Sequence, residues 1–399
     1  MPIVCHIVTS TNNPARGGME ETVDRIAKRL AGDDDLEVIV YTERPARVTP
    51  DGMPYQVEDL SAEMAHFTAP LAESRQGQSR GGRYSLPEDG QVRRLLLRNR
   101  IEAAMAARTS ARHVLVSFFL TKFGFTSQLI AKELELPHIA CIAGTDLNRD
   151  CASAAWMSAA SFVVEHADWI VVRTREQAER LERLFKRTHG ISVYSGGLPA
   201  ARPRRQWRRN ATPHVSLVSD CGYSFKKSTH TLVEAFSRLL REGHAVTLTI
   251  AGKIEAEQHK YWTAVKQEWS ELFVGRACFR GPIGKDEVER MLLDGDIYCS
   301  ASLGEGSPNG ALFALSLGMP IVAPRTSSLA DITDPDIDRV SLFRAGDREN
   351  FYARLEAMVR QVRGNLQPVD CERVQSIRRR LLEEESRHWL GVIHKVAPA

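Results

Sequence analysis

The clearest chemistry in the chain lies in residues 302–324, SLGEGSPNGALFALSLGMPIVAP. A strand-like run, DIYCSA, ends at Ala301, and a carboxylate, Glu305, follows almost at once. Gly306, Ser307, Pro308, Asn309 and Gly310 then make a turn that opens an apolar helix, which Gly318 and Pro320 stop. Such a turn delivers unpaired backbone N–H groups to a helix start, where anions are favoured. Donors for phosphates beside a carboxylate for hydroxyls suit a sugar diphosphate.

Three other turns carry polar groups. Gly17 and Gly18 precede an amphipathic helix with Val23, Ile26, Ala27 and Leu30. A glycine pair admits a ligand close to the backbone, and equally serves a tight turn. Asp146, in CIAGTDLNRD (141–150), has a carboxylate suited to orienting or deprotonating a hydroxyl, although the residues alone favour a cap on the next helix by Thr145 or Asp146. Lys226 and Lys227 lie between a strand and a helix in SDCGYSFKKSTHTLVEAF (219–236). A lysine at a helix start opposes the helix dipole unless an anion offsets it, so Lys227 is expected either to face phosphate or to be a solvated loop lysine. This is not a P-loop, because the second glycine and the lysine of that motif would fall on Lys227 and Ser228.

These turns need strands and helices to hold them. Apolar runs at 3–8, 36–42, 113–119, 138–144 and 169–174 alternate with helical patterns at 19–31, 92–108, 124–135 and 175–187. The alternation restarts at 214–220 and continues at 245–252, 277–283, 296–302, 320–324 and 340–343. Nearly continuous apolar strands separated by helices predict parallel sheets covered on both faces. The expected fold is α/β, with two doubly wound Rossmann-like domains. The expected boundaries are 1–198, 199–380 and a terminal helix at 381–399 returning to the first domain. Ligands of such sheets sit at the carboxyl ends of the strands, where all four turns fall.

With 399 residues, 43% hydrophobic and a net charge of +3, the chain reads as a two-domain globular protein, too mildly basic to imply nucleic acid. Seven scattered cysteines, never spaced CxxC, predict reduced thiols and a cytoplasmic location, with no zinc site. Between residues 80 and 112 stand eight arginines against three acids, and Leu97, Ile101 and Met105 form a stripe beside them. The helix at 92–108 is therefore expected either to lie on the inner face of a membrane or to bury that stripe in the core.

These motifs resemble a GT-B glycosyltransferase of the family-4 type (glycosyl transferases group 1), over nearly the whole chain. GGMEETVDRIAKRL, DWIVVRTREQAERL, VYSGGL, KKSTHTLVEAFSRL and SLGEGSPNGALFALSLGMPIVA each resemble a family segment. The resemblance implies transfer of a sugar, with retention, from a nucleotide-diphosphate donor to a glycan or lipid-linked acceptor. It places Glu305 beside the donor sugar, Lys227 on the diphosphate, and Ser307, Pro308, Asn309 and Gly310 in the turn approaching the phosphates. Gly17 and Gly18 match the first-turn glycines, and Asp146 the turn near the acceptor. No metal or other cofactor is implied, because lysine and helix-start amides meet the leaving charge. The chain departs from the pattern at Phe313, where the family carries a ribose-binding glutamate, at Gly222, near a common arginine, and at Ala143, a common histidine. Lys226 is expected to supply the arginine's charge, and a backbone carbonyl or Ser316 to serve the ribose. The alternative is a non-catalytic GT-B relative acting as a binding or partner subunit; epimerisation and phosphorolysis are weaker rivals.

Overall fold

The computed structural model describes residues 1–9, 18–43, 52–73, 88–142, 144–148, 151, 153–196, 198, 214–254, 259–268, 270–304, 308–325, 328–335, 337–364, 366 and 369–397. The chain divides into two compact units, Met1–Tyr194 with Glu384–Ala399, and Ser195–Glu383.

The first unit is built on strands β1 (Ile3–Thr9), β2 (Leu36–Thr42), β3 (Gln56–Asp59), β4 (Arg112–Phe118), β5 (His138–Cys141), β6 (Trp169–Val172) and β7 (Ile191–Val193). They form one parallel sheet in the order β3-β2-β1-β4-β5-β6-β7. β1 is buried along its whole length, as a strand covered on both faces must be. Its alternate residues feed two cores. Ile3, Cys5 and Ile7 pack with Val23, Ile26 and Leu30 of the helix Gly18–Leu30, and with Trp389 and Ile393 of the terminal helix Cys371–Val396. Val4 and Val8 pack with Leu97, Ile101, Phe123 and Ile130 on the other face.

This second core settles the two expectations held for residues 92–108. They lie in the helix Glu88–Ala106, whose Leu97 and Ile101 are buried while Met105 packs partly buried against them. The stripe expected to meet a bilayer is therefore the one seated on the sheet. Its arginines pair with carboxylates: Arg93 with Glu43, Arg94 and Arg98 with Glu133, Arg100 with Glu63. Among the described residues, no helix is long and apolar enough to cross a membrane.

The second unit carries β8 (Val215–Ser219), β9 (Val246–Ile250), β10 (Ala277–Phe279), β11 (Ile297–Cys299), β12 (Ile321–Pro324) and β13 (Val340–Phe343). Its sheet is also parallel, in the order β10-β9-β8-β11-β12-β13. On one face Val215 and Leu217 meet Val233, Phe236 and Leu239 of the helix Thr229–Arg241. On the other, Val218 meets Leu312 and Leu315 of the helix Asn309–Ser316, with Ile377 and Leu381 from the start of the terminal helix. In both sheets the order reverses direction beside the first strand of the unit. The crevice at that reversal is where a doubly wound sheet takes its ligand, in the second unit between the ends of β8 and β11.

Candidate active site

The chain leaves β8 through Asp220 and returns in the helix Thr229–Arg241; it leaves β11 through Ser300 and enters the helix Asn309–Ser316. Two contacts stitch the exits together. The Tyr298 hydroxyl donates to Asp220 Oδ1 at 2.8 Å, and the Leu303 N–H donates to the Lys226 carbonyl at 2.9 Å. The second bond holds the lysine loop against the turn after β11, which continues toward Pro308, Asn309 and Gly310. Asp220 in turn lies against the first turn of the helix Asn309–Ser316. A β-carbon on Gly310 would come within 1.9 Å of Asp220 Oδ1, so any larger residue there must displace that carboxylate. A carboxylate at a helix start is favoured by the helix dipole.

The loop carrying the lysines is shaped by glycine. Gly222 has φ +70, and a β-carbon there would lie 2.8 Å from the Lys253 carbonyl oxygen. Gly252 faces it at φ +131, with space for a β-carbon closed by the Gly222 Cα at 2.6 Å. The position where an arginine was expected is thus a backbone-to-backbone contact that no side chain enters. The Thr229 hydroxyl donates to the Gly222 carbonyl at 2.8 Å, and the Lys227 N–H to Ser224 Oγ at 3.2 Å. Ser228, left-handed at φ 50, turns the chain into the helix. Lys226 and Lys227 are half-buried just before that helix.

Of the expected site residues, Lys226, Lys227, Pro308, Asn309 and Gly310 are placed around this one reversal point. Glu305, Ser307 and Gly17 lie outside the described residues; Gly18 opens the helix Gly18–Leu30 after β1. Phe313 is 7% exposed and belongs to the apolar core with Leu312 and Leu329, so this position points into the unit. The Ser316 hydroxyl donates to the Phe313 carbonyl at 2.6 Å and is itself buried. That bond corrects the expectation that Ser316 replaces the missing glutamate.

Asp146 requires a correction too. It is fully buried in the first unit, with Oδ2 accepting the Leu120 N–H at 2.6 Å and Oδ1 accepting the Gly144 N–H at 2.8 Å. Both oxygens hold backbone amides, one after β4 and one after β5. Asp146 positions those two turns and is not presented as a base to an acceptor hydroxyl.

Asp220 and Tyr298 were missed from the sequence. Burial, and then the neighbouring Asp220 charge, push the Tyr298 hydroxyl well above its ordinary range, so it remains a proton donor. The two residues are 78 positions apart, and only the pairing of β8 with β11 brings them together. Among the described residues, Glu242, His244 and Glu356 form a group with metal-ligand chemistry. Its carboxylates are engaged by Arg238, Tyr352 and Arg360, at the far end of the helix Thr229–Arg241 from the lysines.

Two doubly wound Rossmann-like domains, one with a glycine-shaped lysine turn at its reversal point, define the GT-B class of fold. Residues 212–361 match the family model described as glycosyl transferases group 1. The sulfoquinovosyl transferase SQD2 of Arabidopsis thaliana is 31% identical over 97 residues, 24% of this chain and 19% of that protein. WcaL of Escherichia coli, a glycosyltransferase named for colanic acid biosynthesis, is 26% identical over 166 residues, 40% of each chain. The matched region thus spans less than half the length of either relative. Among solved structures, sucrose-phosphate synthase from Thermosynechococcus elongatus has a TM-score of 0.74 at 13% identity, covering 98% of this chain and 99% of that one. HepE from Anabaena, solved with UDP and glucose, has a TM-score of 0.69 at 13% identity and the same coverage. At such identity the likeness speaks for the fold.

Proposed function

We propose that this protein is a glycosyltransferase that moves a sugar from a nucleotide-diphosphate donor to a hydroxyl of a glycan or lipid-linked acceptor. The observation that supports the proposal is the Leu303–Lys226 backbone bond, which ties the lysine loop after β8 to the exit of β11 at the reversal point of the sheet. In the reaction, the bond from the anomeric carbon to the diphosphate oxygen breaks and the acceptor oxygen replaces it, with release of the hydroxyl proton. The nucleoside diphosphate leaves with the electron pair. Lys227 and Lys226, with the amides at the start of that helix, meet this charge as it develops, the part a divalent metal plays in other transferases. Glu305 is assigned to the donor sugar's hydroxyls, Ser307 to the phosphate turn, and Gly17 and Gly18 to close backbone approach. Asp146 serves by holding the acceptor-side turns. Retention of anomeric configuration follows from the family resemblance.

Two observations favour a second reading. Phe313 is built into the core, and Gly222 leaves no room for an arginine, which is how a non-catalytic relative would also look. Thermal unfolding with UDP, GDP, ADP and CMP separates the two. A nucleotide at a hundred times its dissociation constant adds about 2.7 kcal/mol, a visible rise in midpoint. A rise with one nucleotide that Lys227→Ala removes is the expected result. No rise at millimolar concentration hands the assignment to the binding-subunit reading.

A further inference from the structure

The edge strand β13 borders a groove of ≈ 380 Å³, floored by Ser341 and closed on one side by Arg354, Met358 and Gln361 of the helix Arg348–Arg363. Arg325, just past the end of β12, and Arg339, just before β13, line it as well, so three arginines border one concavity. Its described lining residues include no carboxylate, and none of the three arginines has an ion-pair partner among the described residues. Other arginines of this unit do have carboxylate partners: Arg238 with Glu242 and Glu349, Arg348 with Glu234, Arg360 with Glu356, Arg373 with Asp338.

Arg339 stands out twice. Its Nε is buried with no hydrogen-bond partner among the described residues. Its backbone is left-handed at φ 55, a region that L-residues other than glycine adopt only at a cost. Charged residues often guard an edge strand against pairing. That role asks for side chains extended into water, and does not account for a buried, unpartnered donor on a strained backbone. Guanidinium donors in a fixed fork match phosphate oxygens bidentately, and a groove of this size accommodates one such headgroup with Ser341 and Gln361 as neutral partners.

We infer that this groove is a second anion site, which binds a phosphate ester or diphosphate group through Arg325, Arg339 and Arg354. It is separate from the lysine turn and stands whether or not the protein transfers sugars. Two sources offer the same chemistry, a phospholipid headgroup and a free phosphorylated molecule.

The test uses the full chain carrying Lys226→Ala and Lys227→Ala, which removes the cations of the donor turn, and titrates inorganic pyrophosphate by calorimetry. Binding is expected, and adding either Arg339→Gly or Arg354→Ala should weaken it about tenfold. Glycine adopts the left-handed backbone freely, so Arg339→Gly should keep the wild-type thermal midpoint. The exposed Arg379→Ala is the charge-matched control and should change nothing. Phosphatidylcholine vesicles with and without phosphatidylglycerol then name the source. Displacement of pyrophosphate by the anionic vesicles alone identifies a headgroup; pyrophosphate binding that vesicles do not disturb identifies a free phosphate. If pyrophosphate does not bind, or binds equally well to Arg339→Gly and Arg354→Ala, the site does not exist.

Discussion

The Asp220 carboxylate lies against the Cα of Gly310, leaving no space for a β-carbon, while the Tyr298 hydroxyl donates to it at 2.8 Å. One side chain therefore fixes the exits of β8 and β11 and the start of the helix Asn309–Ser316. Gly310→Ala should push Asp220 away and break the tyrosine bond, at a cost of about 1–3 kcal/mol. The same carboxylate is the obstacle, so Asp220→Gly should relieve the clash. Urea unfolding of both single variants and the double is the measurement. The double variant should lose clearly less than the sum of the singles; additive losses would mean that the contact does not couple the two turns.

Phe313 stands where the family resemblance leads one to expect a glutamate, which invites the substitution Phe313→Glu. The ring is buried among Leu312, Leu329 and Ile332. A carboxyl group there must either be charged without a partner or take up a proton, and both are costly. Phe313→Glu should lose several kcal/mol of stability, as core-to-charge changes do, with no tighter nucleotide binding. A stable variant with a lower dissociation constant for a nucleoside diphosphate would show instead that this position faces the donor.

The parallel sheets were legible because their central strands are apolar on both faces; IVCHIVT of β1 is buried at every residue. The edge strands β3 and β7 were not, since their patterns are half-exposed and only four and three residues long. In the site, the lysines and the glycine turn showed as chemistry at strand ends. Asp146 showed as a carboxylate at a strand end too, yet its oxygens face the Leu120 and Gly144 amides, and a sequence does not display which way a carboxylate points. Asp220 escaped notice for a related reason: its partners Tyr298 and Gly310 come from strand pairing, a long-range property without local trace.

If Asp146 is a clamp, its variants should change stability before chemistry. Asp146→Asn puts an amide NH₂ against a backbone N–H that now has an oxygen. One buried amide loses its acceptor, for about 1–3 kcal/mol. Thermal unfolding should show that loss, while any transfer activity retains its pH profile. A general base would behave differently, with near-native stability and a collapsed rate whose pH dependence disappears.

Histidines give the first unit a built-in acid sensitivity. His138 is fully buried between Ser117 Oγ at 2.8 Å and Gln128 Oε1 at 2.7 Å, and burial lowers its pKa from 6.5 to about 3. His6, between Tyr41 and His113, is likewise lowered to about 3 by burial, with the His113 charge second. The folded pKa is below the unfolded value, so the unfolded chain binds protons that the fold refuses. Stability contributed by the neutral rings is complete above 6.5 and is lost progressively as pH falls toward 3. Between about pH 7.5 and 5.5 each histidine should cost about 1.4 kcal/mol. Urea unfolding at the two pH values checks this, and His138→Gln, neutral throughout, should flatten the difference by one histidine's share. An unchanged slope would mean that His138 already takes up its proton in the folded state.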